Sequence, residues 1–194
     1  MVGYDPATAL IVVDVQNDFA DPGGALSVSG GAAAIPFINE QVAGTLGAGG
    51  LVVYTQDWHP EDTPHFEKDG GIWPVHCVGD SWGAQLHPDL KVEGDRIHKG
   101  SGGEDGYSGF TVRDPESGAA SPTELESLLR ECDIERVVIV GLATDYCVKE
   151  TAIDSVGLGF ETTVLTGGIR AVDLQPGDGE QAVAAMAEAG VTVA

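Results

Sequence analysis

Arg136-Val137-Val138-Ile139-Val140-Gly141-Leu142-Ala143-Thr144-Asp145-Tyr146-Cys147-Val148 reads as a strand, a tight turn and the opening of a helix. After Arg136, residues 137–140 are apolar without alternation, as a strand covered on both faces requires. The turn delivers Cys147 into a first helical turn. There the positive end of the macrodipole favours thiolate over thiol, and free backbone N–H groups face whatever the sulfur attacks. Cys147 is therefore a candidate nucleophile. The competing reading is a small buried thiol packed beneath a helix.

The pattern repeats along the chain. Residues 8–13, 51–55 and 162–165 are further apolar strands, with weaker candidates at 96–98 and 191–193. Helical patterns cover residues 32–46, 122–132, 145–156 and 179–189. Ser121 before Pro122 fits an N-cap followed by proline at the first helical position, and Gly157 and Gly190 fit C-terminal caps. This alternation predicts a three-layer α/β/α fold with right-handed crossovers around a mainly parallel sheet. Residues 58–121 show little periodicity and much Gly, Pro, His and Trp, which marks functional loops. No repeat or linker divides the chain, so residues 1–194 are expected to form a single domain.

Composition narrows the function. The 194 residues, 42% hydrophobic, suffice for one well-packed core. No apolar run approaches a membrane span or a signal-peptide core, so a soluble, cytoplasmic protein is expected. Cys77, Cys132 and Cys147 have no C-x-x-C spacing, which argues against a disulfide framework. Nine Lys+Arg against 31 Asp+Glu give a formal net charge of -22. Such a surface repels phosphate backbones and anionic lipid, so neither nucleic acid nor membrane is expected as a partner. Adaptation to high ionic strength would account for the acidity.

Polar residues cluster where the strands end. Asp14 closes the first strand, Asp57 and His59 follow the second, Lys99 the third and Cys147 the fourth. In an open parallel sheet these ends share the carboxyl edge, where ligand crevices form. Beside the cysteine, Asp14 is a candidate general base for the thiol, and Lys99 would hold carboxylate and thiolate ionised. Alone, Asp14 would read as a turn-former and Lys99 as a solvated surface residue. Asp57 and His59 lie two apart on one side of an extended segment, with His65 and His76 downstream. One carboxylate with two or three imidazoles suits one divalent metal ion: zinc, iron or manganese. His87 and His98 read as structural. Phe19, Trp73 and Tyr107 fall in loops around the crevice and would sandwich a flat heteroaromatic ring.

Six motifs in register carry a resemblance: Asp14-Val15-Gln16-Asn17-Asp18-Phe19, Asp57-Trp58-His59-Pro60, Trp73-Pro74-Val75-His76-Cys77-Val78, Lys99-Gly100, Tyr107-Ser108-Gly109-Phe110 and Gly141-Leu142-Ala143-Thr144-Asp145-Tyr146-Cys147-Val148. The chain resembles the nicotinamidases, a group of the isochorismatase-like cysteine hydrolases. The resemblance implies a six-stranded parallel sheet and hydrolysis of nicotinamide, with pyrazinamide as a further substrate, in NAD salvage. It implies Cys147 as nucleophile, Asp14 as proton shuttle and Lys99 as third member of the triad. It also implies Asp57, His59, His65 and His76 as ligands of a metal, zinc first, that holds the substrate's pyridine nitrogen. A cis peptide at Leu142–Ala143 and an oxyanion site at the N–H groups of Ala143 and Cys147 complete the implied set. Gly106 and the loop Gly79-Asp80-Ser81-Trp82-Gly83 depart from the usual pattern, outside triad and metal motifs. Homo-oligomerisation is left open.

Rivals are separable by residue. Carbamoyl-amide and biuret hydrolases of the superfamily generally lack the metal histidines, and isochorismatases proper generally lack the cysteine. A binding protein with a dead site would have lost Asp14, Lys99 or Cys147, and a redox role would need Cys77 or Cys132 beside Cys147.

Overall fold

Strand β1 (Thr8–Val13) shows why the chain folds in three layers: all six of its residues are buried. Ala9, Ile11 and Val13 face one core cluster, while Leu10 and Val12 face another. A strand apolar on both faces needs cover on both. The computed structural model describes residues 3–194. After β1 come α1 (Asn17–Ala20), α2 (Gly31–Gly47), β2 (Leu51–Asp57) and β3 (Asp95–Lys99). Then follow β4 (Thr111–Arg113), β5 (Ala120–Pro122), α3 (Leu125–Glu131) and β6 (Arg136–Leu142). A π-helical turn (Thr144–Val148) leads into α4 (Lys149–Gly157), β7 (Glu161–Arg170), α5 (Asp178–Glu188) and β8 (Thr192–Val193).

The main sheet has six strands in the order β3-β2-β1-β6-β7-β8, every pair parallel. This is the expected architecture. Residues of α3, α4 and α5 cover one face; α2 covers the other with Ala34, Ile35, Ile38 and Val42. From β1 the chain winds outward through β2 and β3, then returns to place β6 on β1's other side. The strand order reverses between β1 and β6, so a crevice opens at their carboxyl ends. Among the described residues no helix is long and apolar enough to cross a membrane.

Several boundaries differ from the sequence reading, each for a tertiary reason. β2 reaches Asp57, β6 reaches Leu142 and β7 reaches Arg170, because ladder pairing continues past the apolar run. Between β6 and β7 the register shifts at Ile139 and Gly141. Gly141 has φ +118°, and a Cβ there would stand 2.0 Å from the carbonyl oxygen of Val13. Only glycine lets the two central strands approach so closely. Ser121 and Pro122 do not open α3 but pair with β4 in a small antiparallel ribbon. Thr123 takes the capping task instead: its hydroxyl accepts from the Leu125 N–H at 3.2 Å and donates to the Gly109 carbonyl at 2.6 Å. Past α4 the left-handed glycine is Gly159 (φ +88°), not Gly157, whereas Gly190 (φ +99°) stands after α5 as expected.

Candidate active site

Asp14 is fully buried just past the end of β1. Its Oδ1 accepts from the Thr55 hydroxyl at 2.6 Å, and its Oδ2 lies 2.7 Å from Lys99 Nζ. The Lys99 ammonium, itself buried, donates to Asp57 and to the Gly106 carbonyl. Asp14 Oδ2 pairs with it by charge alone and has no hydrogen-bond partner. Cys147 Sγ stands 3.7 Å from the same nitrogen. Oxygens of Asp14 and Asp57 and the Cys147 sulfur all lie within 4.8 Å of one another. Burial raises the Asp14 carboxyl, with Lys99 opposing and Asp57 adding to the effect. Burial also pushes the Cys147 thiol up, with Lys99 opposing and Asp14 and Asp57 adding to the effect. The helix-end argument from sequence therefore reverses here: the resting group is a thiol that needs a base at the moment of attack.

Asp57 faces two ways. Its Oδ1 meets Lys99, while its Oδ2 lies 3.9 Å from both His59 Nε2 and His76 Nε2. His59, His65 and His76 are buried, with one nitrogen of each within 4.8 Å of the others. His76 Nδ1–H donates to the Pro74 carbonyl at 2.7 Å, and His65 Nδ1–H donates to Asp105 at 2.6 Å. Both Nε2 lone pairs are thus left for another partner. Neither ring nitrogen of His59 has a hydrogen-bond partner. A buried imidazole without partners is costly, and a cation accepting its lone pair removes that cost. Burial lowers the pKa of His65, and that of His76 to about 4, which keeps both neutral as metal ligation requires. Three buried imidazoles and a carboxylate fit a divalent ion such as zinc.

Above these groups lies a cavity of about 330 Å³. Phe19, Trp73, Tyr107, His76 and Cys147 line it, as does Ala143. Asp14, Lys99 and His59 sit beneath it. Trp73 Nε1–H donates to the Tyr107 hydroxyl at 2.8 Å, fixing two aromatic walls against each other. The Leu142–Ala143 peptide is cis. The structure thus brings every residue singled out from the sequence to one place. Sequence reasoning missed Tyr146, whose ring packs edge-on against Trp73 at 5.1 Å, and the mouth residues Leu26, Val28, Val172 and Leu174. Tyr146 adjoins Cys147 and was findable by adjacency; the others come from loops without periodicity. His98 stacks on Trp58 at 4.2 Å, and His87 is not among the grouped imidazoles. All three cysteines are free.

This geometry narrows the chemistry, and comparison with known proteins fixes the lineage. Residues 8–194 match the Isochorismatase domain. The chain belongs to the isochorismatase family. Within that family it is 38% identical over 206 residues to the nicotinamidase of Escherichia coli, covering 97% of this chain and 94% of that protein. The pyrazinamidase of Pyrococcus horikoshii, solved in complex with zinc, superposes with a TM-score of 0.86 at 39% identity. That match covers 97% of this chain and 99% of the other. PnC1 from L. infantum, solved in complex with nicotinate, gives a TM-score of 0.89 at 36% identity, covering 100% and 95% of the two chains. The family resemblance drawn from the six motifs is thereby established, and the isochorismatase fold accounts for the full sheet.

Proposed function

We propose that this isochorismatase-family protein is a metal-dependent cysteine amidase. It hydrolyses nicotinamide to nicotinate and ammonia, accepts pyrazinamide, and serves NAD salvage in the cytoplasm. One observation carries the reading: Cys147, Asp57, His65 and His76 line one aromatic-walled cavity, and His59 completes the imidazole trio next to it. A carboxamide that reacts at sulfur can therefore present a ring to the histidines. The kinship with a nicotinamidase, a zinc-bound pyrazinamidase and a nicotinate complex supports the same substrate class.

Asp57, His59, His65 and His76 would hold the ion. When bound, it supplies a Lewis-acidic anchor for a ring nitrogen. The chain's own residues do the rest. Phe19, Trp73 and Tyr107 flank the ring and exclude water. Asp14 takes the thiol proton as Cys147 Sγ attacks the carboxamide carbon. N–H groups of Ala143 and Cys147 receive the developing oxyanion. Asp14 then delivers that proton to the departing nitrogen, the C–N bond breaks, and ammonia leaves a thioester on Cys147. Asp14 next takes a proton from water, which adds to the thioester carbon and displaces the sulfur. The proton returns to Cys147 and nicotinate is released. Lys99 holds Asp14 ionised at the start of each half-reaction.

The test is ammonia release from nicotinamide at high salt, with and without a chelator and beside Cys147→Ala. The expected result is activity that falls on chelation, returns with zinc and is absent in the variant. Wild-type protein that releases nothing with metal restored overturns the reading.

A further inference from the structure

The three buried imidazoles do not share the same support. His76 Nδ1–H is held by a neutral carbonyl, that of Pro74, and His59 has no hydrogen-bond partner on either nitrogen. His65 Nδ1 alone of the three meets a carboxylate, Asp105 Oδ1, at 2.6 Å. The contact is built on both sides. The Asp105 N–H donates to the Arg113 carbonyl at 2.8 Å, and the Arg113 N–H returns a bond of 2.8 Å to the Asp105 carbonyl. The side chain thus rides on the backbone of the β4–β5 ribbon. On the His65 side, the Thr63 hydroxyl donates to the Gly103 carbonyl at 2.9 Å and accepts from the His65 N–H at 3.2 Å. Two separate bonds therefore dock residues 103–105 against 63–65. The His65 side chain is 5% exposed and the Asp105 side chain 26%, so solvent screens the pair only partly.

We propose that Asp105 is a positioning residue for metal binding, acting through His65. The carboxylate fixes the Nδ1–H tautomer, aims the Nε2 lone pair into the site and makes the ring a stronger donor. It touches neither the reacting sulfur nor the amide. Because its backbone is bonded to Arg113 of β4, the ribbon's placement becomes part of the metal site. This inference rests on the metal-dependent amidase reading and deepens it.

The experiment measures zinc affinity of metal-stripped protein by competition with a chromophoric chelator, independent of turnover. Asp105→Ala is expected to lower affinity about 10- to 100-fold. Asp105→Asn, whose amide oxygen still accepts the Nδ1 proton, should fall between wild type and Asp105→Ala. Being isosteric, it keeps the test decisive if the alanine variant does not fold. Glu104→Ala, which removes a neighbouring carboxylate bonded to the Gly102 N–H, should bind zinc as the wild type does. Wild-type affinity in both Asp105 variants overturns the inference and leaves the amidase reading standing, as does a Glu104→Ala loss equal to that of Asp105→Ala. Wild-type protein that binds no zinc overturns the inference together with the metal-dependent reading.

Discussion

Lys99 is the residue on which the site's electrostatics turn. It stands among Asp14, Asp57 and the Cys147 sulfur, and its ammonium is the cation that offsets two buried carboxylates. Removing one partner of a buried ion pair strands the others. Lys99→Met is therefore expected to cost about 3–5 kcal/mol in urea unfolding, as well as activity. A loss below about 1 kcal/mol would mean the cluster is wetter than its burial indicates. His76 makes a second prediction, for metal-free protein. Burial holds its folded pKa near 4, against an ordinary value of 6.5. Between those values the unfolded chain binds more protons, so stability is full above about pH 6.5 and declines as pH falls toward 4. The group contributes up to about 3 kcal/mol of that decline. His76→Gln should flatten the slope between pH 7 and 4.5, and an unchanged slope would assign it elsewhere. These residues were legible because their types are rare: four lysines and five histidines in so acidic a chain draw notice. Asp105 was not, being one of many acids in a glycine-rich stretch with no periodicity to place it.

At the scale of elements, strands and helices were read from apolar runs, and their cores are where expected. Their ends were not, because ends answer to partners distant in sequence. β6 extends through Leu142 because β7 pairs with it beyond the register shift at Gly141. Ser121-Pro122 looks like a helix start in isolation, yet Thr111 opposite Pro122 makes it a ribbon. The approach of β1 to β6 predicts opposite effects for two glycines. Gly141→Ala places a methyl against the Val13 carbonyl at positive φ, so it should cost at least about 2 kcal/mol and widen the gap between Asp14 and Cys147. Gly157→Ala, in α4 with nothing within 4 Å of the new carbon, should instead stabilise by about 0.5–1 kcal/mol. Paired thermal melts decide it; equal shifts would show that the close approach is not what demands glycine at 141.

For the whole molecule, the convergence of polar groups on one sheet edge followed from the alternation of strands and helices. The order of strands did not, since it depends on which side of β1 the chain returns to. Charge is the other global property. With 22 more acids than bases, most carboxylates have no cation to pair with and repel one another across the surface. Some stand where their own helix disfavours them: Glu131 and Glu188 end α3 and α5, at the negative pole of the macrodipole. Local stability gains nothing from acids there, which fits a surface set by its solvent. Salt shortens the screening length from about 30 Å at 0.01 M to about 3 Å at 1 M. The melting temperature is therefore expected to climb between low and molar potassium chloride. Glu131→Gln with Glu188→Gln should raise it at low salt, each site stabilising by about 0.3–1 kcal/mol, and raise it less at molar salt as screening removes the same repulsion. A melting temperature flat in salt, with the double variant equally stabilising throughout, would make the acidity incidental to stability and leave solubility as its consequence.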